Sequence, residues 1–280
     1  MSTPAPLTDR PALILHRTRA RLDQARFLQD EAVAQVQERL EEVNRSFTKP
    51  VIVTGHPEIW KNAIAGAKIV PDDETLSLTP EAHDLIVHAM ALHWADDPVG
   101  QLVQARRALR PDGLFLAVFL AGQTLHELRS ALALAETALR GGLSPRVAPM
   151  GEIRDLGALL QRAGFALPVA DSTALTVTYD NALHLMRDLR AMGETNALAA
   201  RDRRIAPRAL FPQTAALYQQ HFADGPDRVR ATFDLVFLTG WAPDESQPKP
   251  LRPGSAKARL ADALGVPEIA TKDPAAPRRD

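Results

Sequence analysis

Two adjacent side chains, His93 and Trp94, follow the apolar run Asp84–Met90, and theirs is the pairing in this chain with the clearest chemical use. An imidazole exchanges a proton near neutral pH, and an indole walls or stacks on a flat ligand. Open α/β sheets gather ligand contacts past the carboxyl ends of their strands. His93 is therefore read as a proton-handling residue and Trp94 as a wall of a cofactor pocket. The plainer alternative is that Trp94 only packs beneath a covering helix.

A second group follows the next apolar run, Leu114–Leu120, with Gly122, Thr124, Glu127 and Arg129 in close succession. Gly122 stands where a strand end would approach a cofactor. Thr124 with Glu127 three residues later has the spacing of a capping box, and Glu127 is also the second candidate for handling a proton. Arg129 has no such local explanation. With Arg190, Glu194 and Asn196 of the string LRAMGETN it makes a polar set suited to hold a peptide or a carboxylate through paired hydrogen bonds. The competing reading is a buried ion pair that pins a covering helix to the sheet.

A third group lies nearer the start. VIVTGHPEIW carries one glycine, Gly55, which is either the remnant of a cofactor loop or an ordinary turn glycine. Asp72 and Asp73 in PDDE are candidates for the cofactor side of the site, and equally a solvated turn. No histidine or further carboxylate is spaced to complete a metal site with them, so no metal is expected.

The elements that must position these residues alternate in type. Val51–Thr54, Lys68–Val70, Asp84–Met90 and Leu114–Leu120 read as strands, and Pro98–Leu109 reads as a helix with proline in its first turn. That alternation predicts a doubly wound, mostly parallel α/β sheet. Further on, Leu125–Arg140, Gly151–Ala163 and Ala182–Met192 read as helices. Leu175–Tyr179 and Val229–Leu238 read as late strands that complete the sheet. Residues 1–16 read as a disordered leader, 17–47 as N-terminal helices, 48–265 as the main domain with a helical lid inserted around 141–225, and 266–280 as a disordered tail.

A chain of 280 residues can bury a large core. Its net charge of -1 gives no general attraction for nucleic acid or anionic lipid. The absence of cysteine excludes disulfides, thiolate metal sites and a cysteine nucleophile, and it fits a reducing compartment, here the cytoplasm. No apolar run reaches the roughly 20 residues that cross a bilayer.

The pair DLIVHAMALHW and LRPDGLFLAVF resembles the class I S-adenosylmethionine-dependent methyltransferases, whose sheet is Rossmann-like. The strings GQTLHELRSALALAE, GGLSPRVAP, DLGALLQRAGF, LMRDLRAMGETNAL and PGSAKARLADAL resemble one branch, that of the respiratory complex I assembly factor. A sister branch is the malonyl-carrier-protein methyltransferase of biotin synthesis. The resemblance runs from about Leu76 to Leu264. It implies S-adenosylmethionine as cofactor and a client protein as partner, a complex I subunit with an arginine to be modified.

The chain departs from that family in the cofactor half. Intact members follow the first strand with a loop like Asp-x-Gly-x-Gly-x-Gly, whereas this chain has Thr54, Gly55, His56 and Pro57. Between Gly55 and Asp72 there are too few residues for the helix, strand and further helix of an intact member. The leading expectation is a methyltransferase-fold protein that acts on a protein side chain with a degenerate S-adenosylmethionine site. The alternative is a non-catalytic assembly chaperone, a pseudo-methyltransferase that binds a client subunit. The third is the biotin-pathway methyltransferase.

Overall fold

Six strands form one sheet in the order β2-β1-β3-β4-β6-β5. They are β1 (Pro50–Thr54), β2 (Lys68–Val70), β3 (His83–Ala89), β4 (Leu109–Ala121), β5 (Ala166–Tyr179) and β6 (Val229–Trp241). The computed structural model describes residues 5–248 and Gly265. β1 pairs in parallel with β2 and β3, and β3 with β4. β6 runs antiparallel to both β4 and β5. The doubly wound, mostly parallel sheet expected from the sequence is therefore present.

The continuous apolar strands are buried on both faces, as parallel strands must be. Along β4, Leu114, Leu116, Val118 and Leu120 face one core, while Phe115, Ala117 and Phe119 face the other. The first core is closed by α2 (Phe27–Val43), α5 (His126–Arg140), α7 (Ala182–Met192) and α8 (Leu210–Phe222). The second is closed by α4 (Pro98–Ala108) and α6 (Ile153–Arg162). Helix ends follow their capping residues. Asp97 caps Gly100 ahead of α4, Asn181 caps Leu183 and His184 ahead of α7, and glycine in the left-handed region ends α5 and α7.

Between β1 and β3 the chain has only α3 (Pro57–Trp60) and the three residues of β2. β2 runs through Pro71–Asp73 to β3 with no helix between them. The short crossover read from the sequence is what the fold contains.

Three expectations need correction. The described part of the expected leader, residues 5–16, is ordered, because α1 (Arg10–Thr18) is a helix capped by Asp9, and Thr8 bridges to Leu198; residues 1–4 lie outside the described residues. The helix is two and a half turns long, so its stability is tertiary rather than local. It buries Leu13 completely against Trp94, Ala148, Ala197 and Leu198. The N-terminal helices accordingly begin at residue 10 and are interrupted from 19 to 26. The region 141–225 is not a purely helical lid, since it contains the 14-residue strand β5 and a helix, α6, packed on the far face. α8 falls within the expected lid and is a helix, with Pro212 at its third position. The expected tail 266–280 and the string PGSAKARLADAL lie outside the described residues.

Candidate functional site

The carboxyl ends of β1 and β3 lie side by side, with Val53 opposite His88 and Thr54 opposite Ala89. The chain leaves β3 through Met90, whose φ of 50 is unusual for a non-glycine residue, and enters a short 3-10 turn at Leu92–Trp94. That turn delivers His93 and Trp94 to Glu194, which follows Gly193, the left-handed C-cap of α7. Trp94 Nε1 donates to Glu194 Oε2 at 2.8 Å and His93 Nε2 donates to the same oxygen at 3.3 Å. Burial opposes ionisation of Glu194, but His93, Arg17 and His56 outweigh it and hold the carboxyl at about 2.

These three side chains line a cavity of about 230 Å³. Its walls are apolar, with Leu128, Met186, Leu189 and Phe211 prominent among them, and Arg190 and Asn196 also line it. Arg190 is exposed, and its side chain makes no hydrogen bond or ion pair among the described residues. Asn196 is fixed, donating to Pro145 O and accepting from Leu198 N.

Of the expected substrate set, Arg190, Glu194 and Asn196 meet at this cavity, and Arg129 does not line it. Arg129 donates to Ala148 O at 3.3 Å, and it lines a neighbouring surface recess with Glu136 and Ser144. Glu127 is fully buried away from the cavity, accepting from Thr232 N at 3.2 Å and from Thr232 Oγ1 at 2.6 Å. The expected capping box is absent, because Leu125 is the N-cap residue of α5 and Thr124 Oγ1 donates to Ala121 O. Gly122 is explained by its turn. Its φ is 58, Gln123 N donates to Asp234 Oδ2, and a Cβ at Gly122 would collide with that same oxygen.

The region around Gly55 holds the residues that the sequence reading misses. Arg17 Nη1 lies 2.9 Å from both carboxylate oxygens of Asp72, and Arg10 adds Nη1 to Oδ2 at 3.3 Å and Nη2 to Asp72 O at 2.9 Å. Burial raises the Asp72 pKa, yet Arg17 and then Arg10 overcome it and leave the group below its ordinary value. Asp73 is exposed; its carboxylate lies 3.5 Å from Arg10, and its backbone O accepts from Gln101 Nε2 at 3.0 Å. His88, buried in β3, donates from Nε2 to Gln101 Oε1, and burial lowers its pKa. Arg10 lies in the stretch read as a leader and Arg17 at the first residue of the stretch read as helices, so the sequence places neither beside Asp72. Only the acids of PDDE, which need cations once buried, signal that such partners exist.

Several buried atoms at this edge have no hydrogen-bond partner among the described residues: Arg17 Nε and Nη2, His56 Nε2, His93 Nδ1 and Glu194 Oε1. Buried polar atoms of this kind ordinarily meet water or a ligand.

The residues at Gly55 do not fit S-adenosylmethionine held in the usual way. A glycine loop needs outward amides and a free approach above its Cα. Here the His56 amide turns back to Thr54 Oγ1 at 3.1 Å, Pro57 has no N–H, and the Arg17 guanidinium occupies the space where a Cβ of residue 55 would stand. Asp72, the acid nearest to a cofactor role, is already held by Arg17 and Arg10. Among the described residues no three His, Cys, Asp or Glu side chains are grouped to hold a metal ion.

Sheet order, strand-end site and sequence together define a protein of the class I methyltransferase-like fold, and residues 32–117 match the family model of a methyltransferase domain. Over 202 residues the chain is 38% identical to the mitochondrial arginine-hydroxylase NDUFAF5 of Dictyostelium discoideum, covering 72% of this chain and 46% of that protein. Against human NDUFAF5 the identity is 37% over 199 residues, covering 69% and 56% of the two chains. The malonyl-[acyl-carrier protein] O-methyltransferase of Laribacter hongkongensis is 36% identical over 181 residues, covering 65% and 58%. The chain is thus similar to the NDUFAF5 proteins and to the malonyl-carrier-protein methyltransferases, and it spans about half the length of the curated relatives it matches.

Proposed function

We propose that this protein serves the assembly of respiratory complex I by binding an arginine-bearing segment of a client subunit, on a methyltransferase fold whose methyl-donor side is closed. The observation that carries this reading is the contrast between the two halves of the site. Arg17 fills the approach to Gly55, while the cavity beside Trp94 and Glu194 stays open. The relatives named arginine-hydroxylase suggest the side chain that enters it. Apolar walls suit its aliphatic stem. The buried Glu194 Oε1, ionised and without a partner, suits its cationic tip. Arg190 at the rim suits a carboxylate on the same client segment.

The test has two arms. Thermal shifts with S-adenosylmethionine and S-adenosylhomocysteine are expected to be flat. A photo-crosslinking residue placed at Phe211 is expected to capture a complex I subunit from cells. A saturable shift with either nucleoside, or crosslinks that miss every complex I subunit, refutes the proposal.

A second reading keeps chemistry at the site. It is favoured by the convergence of His93, Trp94 and Glu194 on one oxygen, with His93 Nδ1 left over to take a proton. It predicts a mass change on the client's arginine that is lost in His93→Ala. The malonyl-carrier-protein relatives suggest a third, biotin-pathway reading, which predicts rescue of a biotin auxotroph. No helix among the described residues is long and apolar enough to cross a membrane. The cytoplasmic location expected from composition stands as part of the proposal, beside relatives described as mitochondrial.

A further inference from the structure

We infer that the space between Asp72 and Glu194 is a guanidinium-recognition site which Arg17 occupies from within the chain, and that a partner's arginine replaces Arg17 when α1 lifts. This deepens the client reading by naming what competes for the site, and it borrows from that reading only the identity of the incoming side chain.

Arg17 is a poorly matched occupant. A guanidinium grips a carboxylate best through two parallel N–H bonds from one edge. Arg17 instead places the single nitrogen Nη1 between both oxygens of Asp72, at 2.9 Å each. Its Nε and Nη2 are buried and bonded to nothing among the described residues. The second acid of the site is equally unfinished, because Glu194 spends Oε2 on His93 and Trp94 and leaves Oε1 buried without a donor among the described residues. Attachment to the end of α1 fixes where the Arg17 guanidinium can go. An untethered arginine arriving past Glu194, which lines the open cavity, has five N–H groups in one plane to share between the two carboxylates.

Charge requires some cation here. Without Arg17 the site holds two buried carboxylates against one arginine, Arg10, whose side chain is 19% exposed, and the imidazoles of His56 and His93. The tether is also of a kind that can let go. Beyond Leu13, α1 is held largely by polar contacts: Asp9 to Arg201 and Arg203, Thr8 to Asp96 and Trp94 O, Arg10 to Asp72, and His16 Nδ1 to Thr195 O at 3.1 Å. Its outward residues Ile14 and Leu15 are half exposed.

The test is calorimetric titration of the full chain with acetyl-Gly-Arg-Gly-amide and its lysine counterpart. Because occupation by Arg17 reduces the fraction of protein able to bind, Arg17→Ala is expected to bind the arginine peptide about tenfold more tightly than the parent protein. It should also prefer arginine to lysine. Adding Asp72→Asn should abolish the gain. Equal affinity in the parent and Arg17→Ala, or a gain that survives Asp72→Asn, overturns the inference. If Arg17→Ala does not fold, Arg17→Gln, which keeps the packed stem and loses the charge, carries the same expectation. Equal peptide affinity would leave a crosslink to a complex I subunit standing, and a failed crosslink would leave a tenfold gain standing.

Discussion

Arg17 and Asp72 form an ion pair in which both side chains are more than nine-tenths buried, with Arg17 Nη1 at 2.9 Å from each oxygen of Asp72. It joins α1 to the segment after β2, two parts of the chain 55 residues apart. Removing one member of such a pair strands the other in a poorly hydrated place, at a cost of about 3 kcal/mol or more. Asp72→Ala is expected to lose that much in urea denaturation. The double variant Arg17→Met with Asp72→Leu should recover most of it, since no stranded charge remains. A double variant that is less stable than the sum of the singles would contradict this account.

Glu194 predicts an acid-sensitive fold. Its carboxyl is held at about 2 against an ordinary 4.5, with burial opposing and His93, Arg17 and His56 prevailing. A depressed folded-state value contributes stability that is complete above the unfolded value and disappears as pH falls through the folded one. The window is therefore pH 4.5 down to about 2. Glu136 titrates in the same window, held at about 2 by Arg146 and Ser144 over the opposing effect of burial. Glu194→Gln keeps an acceptor for Trp94 Nε1 and removes the charge. Its unfolding free energy should fall less steeply than the parent's through that window, with Glu136→Gln removing a separate share. An unchanged slope in Glu194→Gln would refute the assignment.

Glu127 separates a structural acid from a site acid. Its two oxygens are engaged by Thr232 N and Oγ1, across 105 residues of sequence. Hydrogen bonds to a buried charge contribute about 1.5–3 kcal/mol. Glu127→Ala should lose stability of that order in urea denaturation and leave arginine-peptide affinity unchanged. Glu194→Ala should lower that affinity at least as much as it lowers stability. Equal effects of the two variants on binding would return Glu127 to the site.

The contrast between Glu127 and Glu194 also marks what the sequence could reveal. The strand-end position of His93 and Trp94 was legible, because a continuous apolar run ending in polar aromatic residues has few other uses in a parallel sheet. The cluster of Arg190, Glu194 and Asn196 was legible too, as polar residues just beyond a glycine-capped helix. For Glu127 the capping-box spacing misleads, because it describes only neighbours along the chain, whereas its partner Thr232 arrives from another strand. α1 was invisible for a related reason. Its helix is too short to form alone, and what holds it, Leu13 among Trp94 and Leu198 and two arginines on Asp72, is contributed by residues far away in the sequence.

Gly122 was expected at the cofactor and is instead fixed by the turn after β4, which makes a clean discriminating variant. Its φ of 58 lies in the region that disfavours a Cβ, and that atom would sit 2.5 Å from Asp234 Oδ2. The same Asp234 oxygen accepts from Gln123 N at 2.7 Å, so it cannot swing aside without giving up that bond. The backbone penalty is about 1–2 kcal/mol, and losing the Asp234 bond adds about 1 kcal/mol. Gly122→Ala should therefore lower the thermal midpoint by several degrees. The cavity is lined by Leu120 and Leu125 rather than by the turn between them, so arginine-peptide affinity below the new midpoint should match the parent's. Loss of affinity with an unchanged midpoint would mean that Gly122 approaches a ligand after all, and that the turn tolerates a side chain it is shaped to exclude.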